Sequence, residues 1–436
     1  MDFSPNLQKL RHSRAADILR RATYKLLVGD GWPPVFTAPD RANTVHAPSR
    51  NVYVHLPFCE TICPHCPYNK IRFQSDLATQ YQTALLREVS DYLARPDAMP
   101  VDTLYFGGGT PTLTPNTVAA VVRAFAPLLK EDAEVAVEAY PSDATVEGLR
   151  DLRETGINRI SLGVESFDAA LLRKLGRRYS PGQAAQAIRN AKGAGFEMVD
   201  VNLIFGIPGQ QKDTFFDTVQ KCLDEDVDQI SAYPLFTFDH TPAGQARHED
   251  TYARAPERQR LAMQRGVSEM CQAAGLERTS VWSFTRRGLS PYTTVTRPDY
   301  VGFGAGAGSK SQTRVSFNTF SVPAYIAASP RAVALQYDLS PREQRADWLY
   351  WQIYNSRIDA GEYEARFGNP ITRDYGLALW LLHRIGFLQY DPIGFRLTER
   401  GAIWGHRIQS VFSLNGIDAV WTNCKREAWP SSVALA

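Results

Sequence analysis

The chain has 436 residues, 44% of them hydrophobic and 22% charged, with a formal net charge of +2. These are the values of a globular protein long enough for one large domain and a smaller one. The charge gives no pull toward nucleic acid, no apolar run reaches membrane-spanning length, and the start Met1-Asp-Phe-Ser-Pro5 lacks the regions of a signal peptide. The expectation is a cytoplasmic monomer with neither nucleic acid nor membrane as partner.

Residues 1–50 read as an N-terminal helical arm. Apolar spacing predicts a helix over Leu7–Leu27, stopped by Gly29 and Gly31, with an extended stretch from Trp32. From Asn51 to about Phe238 strands and helices alternate. The strands are predicted at Val52–Leu56, Asp102–Phe106, Glu134–Ala139, Asn158–Val164, Met198–Ile204 and Gln229–Leu235. Helices are predicted at Asp76–Leu93, Pro115–Leu129, Thr145–Thr155, Ala169–Leu175, Pro181–Ala194 and Lys212–Leu223. About six βα units argue for an α/β fold of parallel strands with helices outside, binding ligands at the strands' C-terminal ends. Beyond them Pro256–Ala274 reads as a helix, Arg278–Phe284 as a strand, and Arg297–Gly308 as a packed glycine-rich loop. From about Ser340, helix, helix and a β-wing suggest a winged-helix-like unit without a basic recognition stripe.

Chemistry concentrates at the strand ends. After the first strand come Cys59, Cys63 and Cys66, spaced C-x3-C-x2-C on a loop kept irregular by Pro64 and Pro67. Three thiolates there make a soft-ligand site, suited to a 4Fe-4S cluster with one iron left open. A zinc ion held with His65 or His55 is the alternative. Cys222, Cys271 and Cys424 stand alone and read as small buried hydrophobes. Gly107-Gly108-Gly109-Thr110-Pro111-Thr112 follows the second strand, where glycines allow close approach of a ligand or simply make a tight turn. Glu138 ends the third strand, as a solvated carboxylate or as an acceptor for an ammonium group.

The run from Tyr53 to Tyr68, with C-x3-C-x2-C after Y-x-H-x-P-F, resembles the radical S-adenosylmethionine (radical SAM) superfamily. More narrowly it resembles the oxygen-independent coproporphyrinogen III oxidases and their heme-chaperone relatives. The resemblance implies a partial (β/α)6 barrel over about 51–330, closed by a lid domain over 331–436. It implies a 4Fe-4S cluster on Cys59, Cys63 and Cys66, one SAM on the open iron, and an electron donor such as flavodoxin or ferredoxin. In that comparison Tyr53 packs near the sulfonium. Gly107, Gly108 and Gly109 meet the amino group, with Thr110 and Thr112 lining the pocket, and Glu138 holds the ammonium. Arg177, or else Arg178, pairs with the SAM carboxylate, and Ala232 and Tyr233 flank the adenine. The family's glutamine and aspartate at the ribose are here Glu165 and Asn202, an exchange that keeps one carboxylate and one amide for a shared diol. The decarboxylating members carry a cysteine where this chain has Tyr68. That points away from decarboxylation. The aromatic-rich lid resembles the family members that transfer a methyl or methylene group to an organic small molecule with a second SAM as donor, and that reaction is the expectation. A heme chaperone, a coproporphyrinogen III dehydrogenase or an anaerobic heme-degrading enzyme is the alternative. A heme would need an axial ligand, and no histidine stands in a recognisable heme motif.

Overall fold

The computed structural model describes residues 46–248, 255–293 and 297–435, with the backbone alone at 406–415, and parts of 18–44. Most of the arm helix expected at Leu7–Leu27 lies outside the described residues.

Six strands carry the large domain: β1 (Asn51–Leu56), β2 (Val101–Gly108), β3 (Leu129–Ala139), β4 (Arg159–Glu165), β5 (Met198–Phe205) and β6 (Gln229–Pro234). Helices α1 (Ser75–Leu93), α2 (Pro115–Phe125), α3 (Val146–Glu154), α4 (Ala169–Lys174), α5 (Pro181–Gly193) and α6 (Lys212–Asp224) fall between them. The strands pair in parallel in their sequence order. Val301–Phe303 adds a further parallel strand beside β1. At the other edge Leu276–Arg278 and Ser283–Arg286 form an antiparallel hairpin on β6. The single strand expected at Arg278–Phe284 is therefore broken. Ser280 accepts the backbone N–H groups of Trp282 and Ser283 and turns the chain there.

The strands alternate with period two. One parity, including Val54, Phe106, Val137, Leu162, Val201 and Ile230, is buried against the helices as the main core. The other parity faces the barrel interior. Its lower layer packs Tyr53, Tyr105, Ala136 and Met198 around Tyr292. The next layer carries Gly107, Glu138, Ser161, Asp200 and Gln229, and the one above it Gly163, Asn202 and Ser231. Polar side chains inside and apolar ones outside set the site at the strand ends.

The winged-helix-like unit has its own core of Trp348, Ile358, Tyr363, Ile371, Tyr375, Leu379, Leu388 and Phe395. Its three strands run in the order Arg357–Asp359, Gly394–Leu397, Leu388–Asp391. A 28-residue helix, Glu399–Arg426, follows. A separate five-stranded sheet joins Gly308–Lys310, Arg314–Asn318, Val333–Asp338, Val35–Thr37 and Ser432–Ala434. Segments from the arm, the closing region and the chain end thus share one sheet.

Candidate functional site

The three cysteines sit on the loop that leaves β1. Cys59 and Cys63 are buried and Cys66 is partly exposed. Burial pushes the Cys59 thiol up to about 11, and the Thr110 hydroxyl, which donates to its Sγ at 3.7 Å, opposes that rise. The loop is pinned on several sides. The Lys70 ammonium donates to the Cys66 carbonyl at 2.5 Å. The Asn69 amide donates to the carbonyls of Ala305 and Phe320, at 3.0 and 2.9 Å. His240 bridges the Pro67 carbonyl (3.1 Å) and the Asp418 carboxylate (2.7 Å) of the last helix.

His55 is not free to bind a metal. Its Nε2 faces the Asn69 carbonyl at 2.8 Å, an acceptor, so this nitrogen carries the proton. Its Nδ1 then accepts from the Tyr53 hydroxyl at 2.8 Å. Burial lowers the imidazole to about 4, so the ring is neutral at neutral pH. Tyr53 accordingly offers the site its ring, with its O–H proton committed to His55. His65, with an unpartnered buried Nδ1, is the nearer candidate for a zinc ligand. Yet among the described residues no three His, Cys, Asp or Glu side chains gather around one ion position. A cluster, whose thiolates bind separate irons, suits this donor set better than a single ion.

The glycine turn after β2 is built first for the protein itself. Gly108 has φ +112°, and a Cβ there would lie 2.6 Å from the His55 ring. A Cβ on Gly109 would lie 2.6 Å from the Phe58 carbonyl oxygen, on the backbone that leads into Cys59. A Cβ on Gly107 would meet Glu138 Oε1 at 2.9 Å. The Thr112 hydroxyl donates to Asp143 at 2.9 Å, so it supports the turn from outside. Glu138 accepts from the Tyr105 hydroxyl (2.8 Å) and the Gly108 N–H (3.2 Å). No cation faces it among the described ion pairs, and burial pushes its carboxyl upward. That is the setting for an incoming ammonium group.

Arg177 and Arg178 separate clearly. Arg178 is exposed, and its backbone N–H donates to the Tyr140 hydroxyl at 3.0 Å. Arg177 is turned inward. Its side chain is 14% exposed, lies over the Tyr140 ring at 5.2 Å and is close enough to Cys63 to act on its thiol. It forms an ion pair with Glu165, while its Nε is buried without a partner. Glu165 stands at φ +60°, a conformation that side-chain-bearing residues rarely hold. Asn202 instead donates to the Ser161 hydroxyl at 2.8 Å, which donates in turn to Asp200 at 2.6 Å. Glu165 and Asn202 therefore have separate partners within the chain. Tyr233 lies on the interior parity. Ala232 lies on the other one, packed in the main core, so its side chain does not reach the site.

Sequence reasoning passed over Tyr105, Ser161 and Asp200. Their period-two parity with Tyr53, Glu138 and Asn202 was the available signal. It also passed over Asn69, Tyr140 and His240, whose roles come from contacts between segments far apart in sequence. Cys222, Cys271 and Cys424 are buried, as expected of small hydrophobes.

Residues 53–222 match the family described as the Radical SAM superfamily. The heme chaperone HemW of Bacillus subtilis is 26% identical over 374 residues, covering 83% of this chain and 99% of that protein. The oxygen-independent coproporphyrinogen III oxidase of Pseudomonas aeruginosa is 28% identical over 397 residues, covering 83% and 85%. Among solved structures, the coproporphyrinogen III oxidase of Escherichia coli, described as a radical SAM enzyme, superposes with a TM-score of 0.72 at 22% identity, over 86% of this chain and 94% of that one. That likeness shows the fold: a radical SAM core. No helix among the described residues is long and apolar enough to cross a membrane.

Proposed function

From a chain that belongs to the radical SAM superfamily, in the family of the oxygen-independent coproporphyrinogen III oxidases and heme chaperones, we propose a protein that cleaves SAM at a cluster on Cys59, Cys63 and Cys66 and handles a tetrapyrrole. One observation carries the reading: a three-cysteine loop meets, at one barrel mouth, a half-buried carboxylate with no cation among the described ion pairs and an inward-turned arginine whose buried Nε–H is unused. Bound there and reduced, a 4Fe-4S cluster supplies the electron that splits SAM into methionine and a 5′-deoxyadenosyl radical. The residues of the chain do the positioning. Arg177 takes the carboxylate of SAM, and Glu138 takes its ammonium. The Tyr53 ring, its hydroxyl committed to His55, packs on the sulfonium. Asn202 spends its amide N–H on Ser161 and keeps its oxygen for a ribose hydroxyl.

The tetrapyrrole comes from the relatives, whose names speak of heme and coproporphyrinogen. Methyl or methylene transfer, the expectation from the aromatic-rich lid, finds no support among them. The heme-chaperone alternative does, through a match over 99% of the Bacillus protein. The test is anaerobic reconstitution followed by mass spectrometry of reductant-treated samples with coproporphyrinogen III or heme. About four iron and four sulfide per chain are expected, with 5′-deoxyadenosine and methionine formed. Each of Cys59→Ala, Cys63→Ala and Cys66→Ala should abolish both products. Zinc without iron in anaerobically purified protein defeats the proposal. Stoichiometric heme retention without SAM cleavage selects the chaperone, and S-adenosylhomocysteine brings alkyl transfer back.

A further inference from the structure

The winged-helix-like unit carries an apolar face that the fold does not use. On helix Ile371–Arg384 and just beyond it, Leu377 is 73% exposed, Trp380 53%, Leu381 48% and Ile385 48%. The same helix buries Ile371, Tyr375 and Leu379 on its other side, so the exposed stripe contributes nothing to the unit's core. The wing extends the face: Tyr390, 69% exposed, packs on His383 at 4.7 Å. Large apolar side chains gathered this way mark an interaction surface.

Charge says what kind of partner fits. Helical spacing puts Arg373 and Arg384 on the stripe, one at each end. Among the described residues Arg373 bonds the neutral Asn369, at 2.7 Å, with no carboxylate, and Arg384 has no carboxylate partner. The nearby carboxylates are already taken: Asp374 by Tyr363 and Arg345, and Asp391 by Arg357. An apolar ridge with a tryptophan and a tyrosine, ended by unneutralised arginines, is the chemistry of a helix lying in a membrane interface. We propose that this face docks the protein on an anionic lipid bilayer, side chains inserting shallowly while the buried side of the helix stays in the core. The net charge of +2 gives no hint of it, because the acids that balance these arginines lie elsewhere.

The experiment is co-sedimentation of the full-length protein with vesicles of phosphatidylcholine alone or mixed with phosphatidylglycerol. Binding should favour the anionic vesicles and weaken with salt. The double variant Trp380→Ser/Leu381→Ser should lower partitioning roughly tenfold or more with an unchanged thermal melt, since both residues are exposed. Arg373→Gln/Arg384→Gln should remove the preference for phosphatidylglycerol. The proposal fails if the protein ignores anionic vesicles or if the Trp380/Leu381 variant binds as well as the parent. It also fails if that variant instead turns a dimer into a monomer, for then the face joins two copies.

Discussion

Arg177 shows how much one side chain is asked to do. Its charge is answered by Glu165, and both side chains are largely buried. Glu165→Gln keeps a hydrogen-bond partner but leaves an unanswered buried cation. It should destabilise the protein by about 1–3 kcal/mol. SAM, bringing a carboxylate to Arg177, should then raise the melting temperature more in the variant than in the parent. An equal rise in both would remove Arg177 from the carboxylate clamp. The idea that Glu165 and Asn202 act as one exchanged pair is tested in SAM binding, where it makes the opposite prediction. On that idea Glu165→Gln and Asn202→Asp should each weaken it, and the double change should recover much of the loss, with a coupling of about 1 kcal/mol; strict additivity would show that they share no ligand. Asp200 below them is buried, accepts from Ser161 and Ser231, and has no cation beside it among the described residues. Burial raises its carboxyl to about 6. A carboxyl raised above its unfolded value binds its proton more tightly in the folded chain, so it lowers stability as pH rises from about 4 to about 6. Asp200→Asn should therefore gain on the parent over that window, by up to about 3 kcal/mol above it. A melting-temperature difference that stays flat from pH 4 to pH 7 would sink the claim.

At the scale of elements, the glycine turn and the cysteine loop are one unit. Gly109 donates its N–H to Leu56 at 2.8 Å, and Thr110 donates its own to Phe58 at 2.7 Å, so the turn lies along the backbone entering Cys59. Gly109→Ala would put a methyl group 2.6 Å from a carbonyl oxygen that cannot rotate away. The loop must shift, and iron content after reconstitution should fall severalfold with it. Gly193→Ala at the end of α5 is the control. A Cβ there meets nothing within 4 Å and φ is not positive. That change should stabilise the helix by about 0.5–1 kcal/mol and leave iron content unchanged. Equal iron in both variants would mean the turn does not shape the cysteine loop.

For the whole molecule, the outer segments are tied into the barrel by buried polar hubs. Glu88 on α1 accepts from the Gly304 N–H, the Asn318 amide and the Tyr325 hydroxyl, at 2.9, 2.8 and 2.6 Å, and faces His46 at 3.1 Å. The chain end is tied as well. Val433 pairs with Phe36 across two strands and is buried with Leu335, Val420 and Cys424. Removing residues 428–436 exposes that cluster and takes away the Ala428 carbonyl that accepts from Thr319. It should cost at least about 2 kcal/mol. Unfolding of the truncated chain in urea checks this, and an unchanged midpoint would show that the terminal strand is ornamental.

The sequence alone was enough for the alternation of strands and helices, the radical SAM core and the three-cysteine loop. Period-two patterning and a short fixed spacing are local properties, legible without contacts. Local reading also placed Glu138, Asn202 and Tyr233 at strand ends, and the register of the sheet turns all three inward. It failed where partners come from afar. Whether Arg177 or Arg178 turns inward depends on Tyr140 and Glu165. Tyr53 loses its hydroxyl to a ring two residues on, whose other nitrogen is set by Asn69. The arm strand found its partners some 300 and 400 residues downstream. Such pairings are settled by which buried polar groups and apolar faces remain to be matched once the barrel has formed, and only the tertiary structure does that matching.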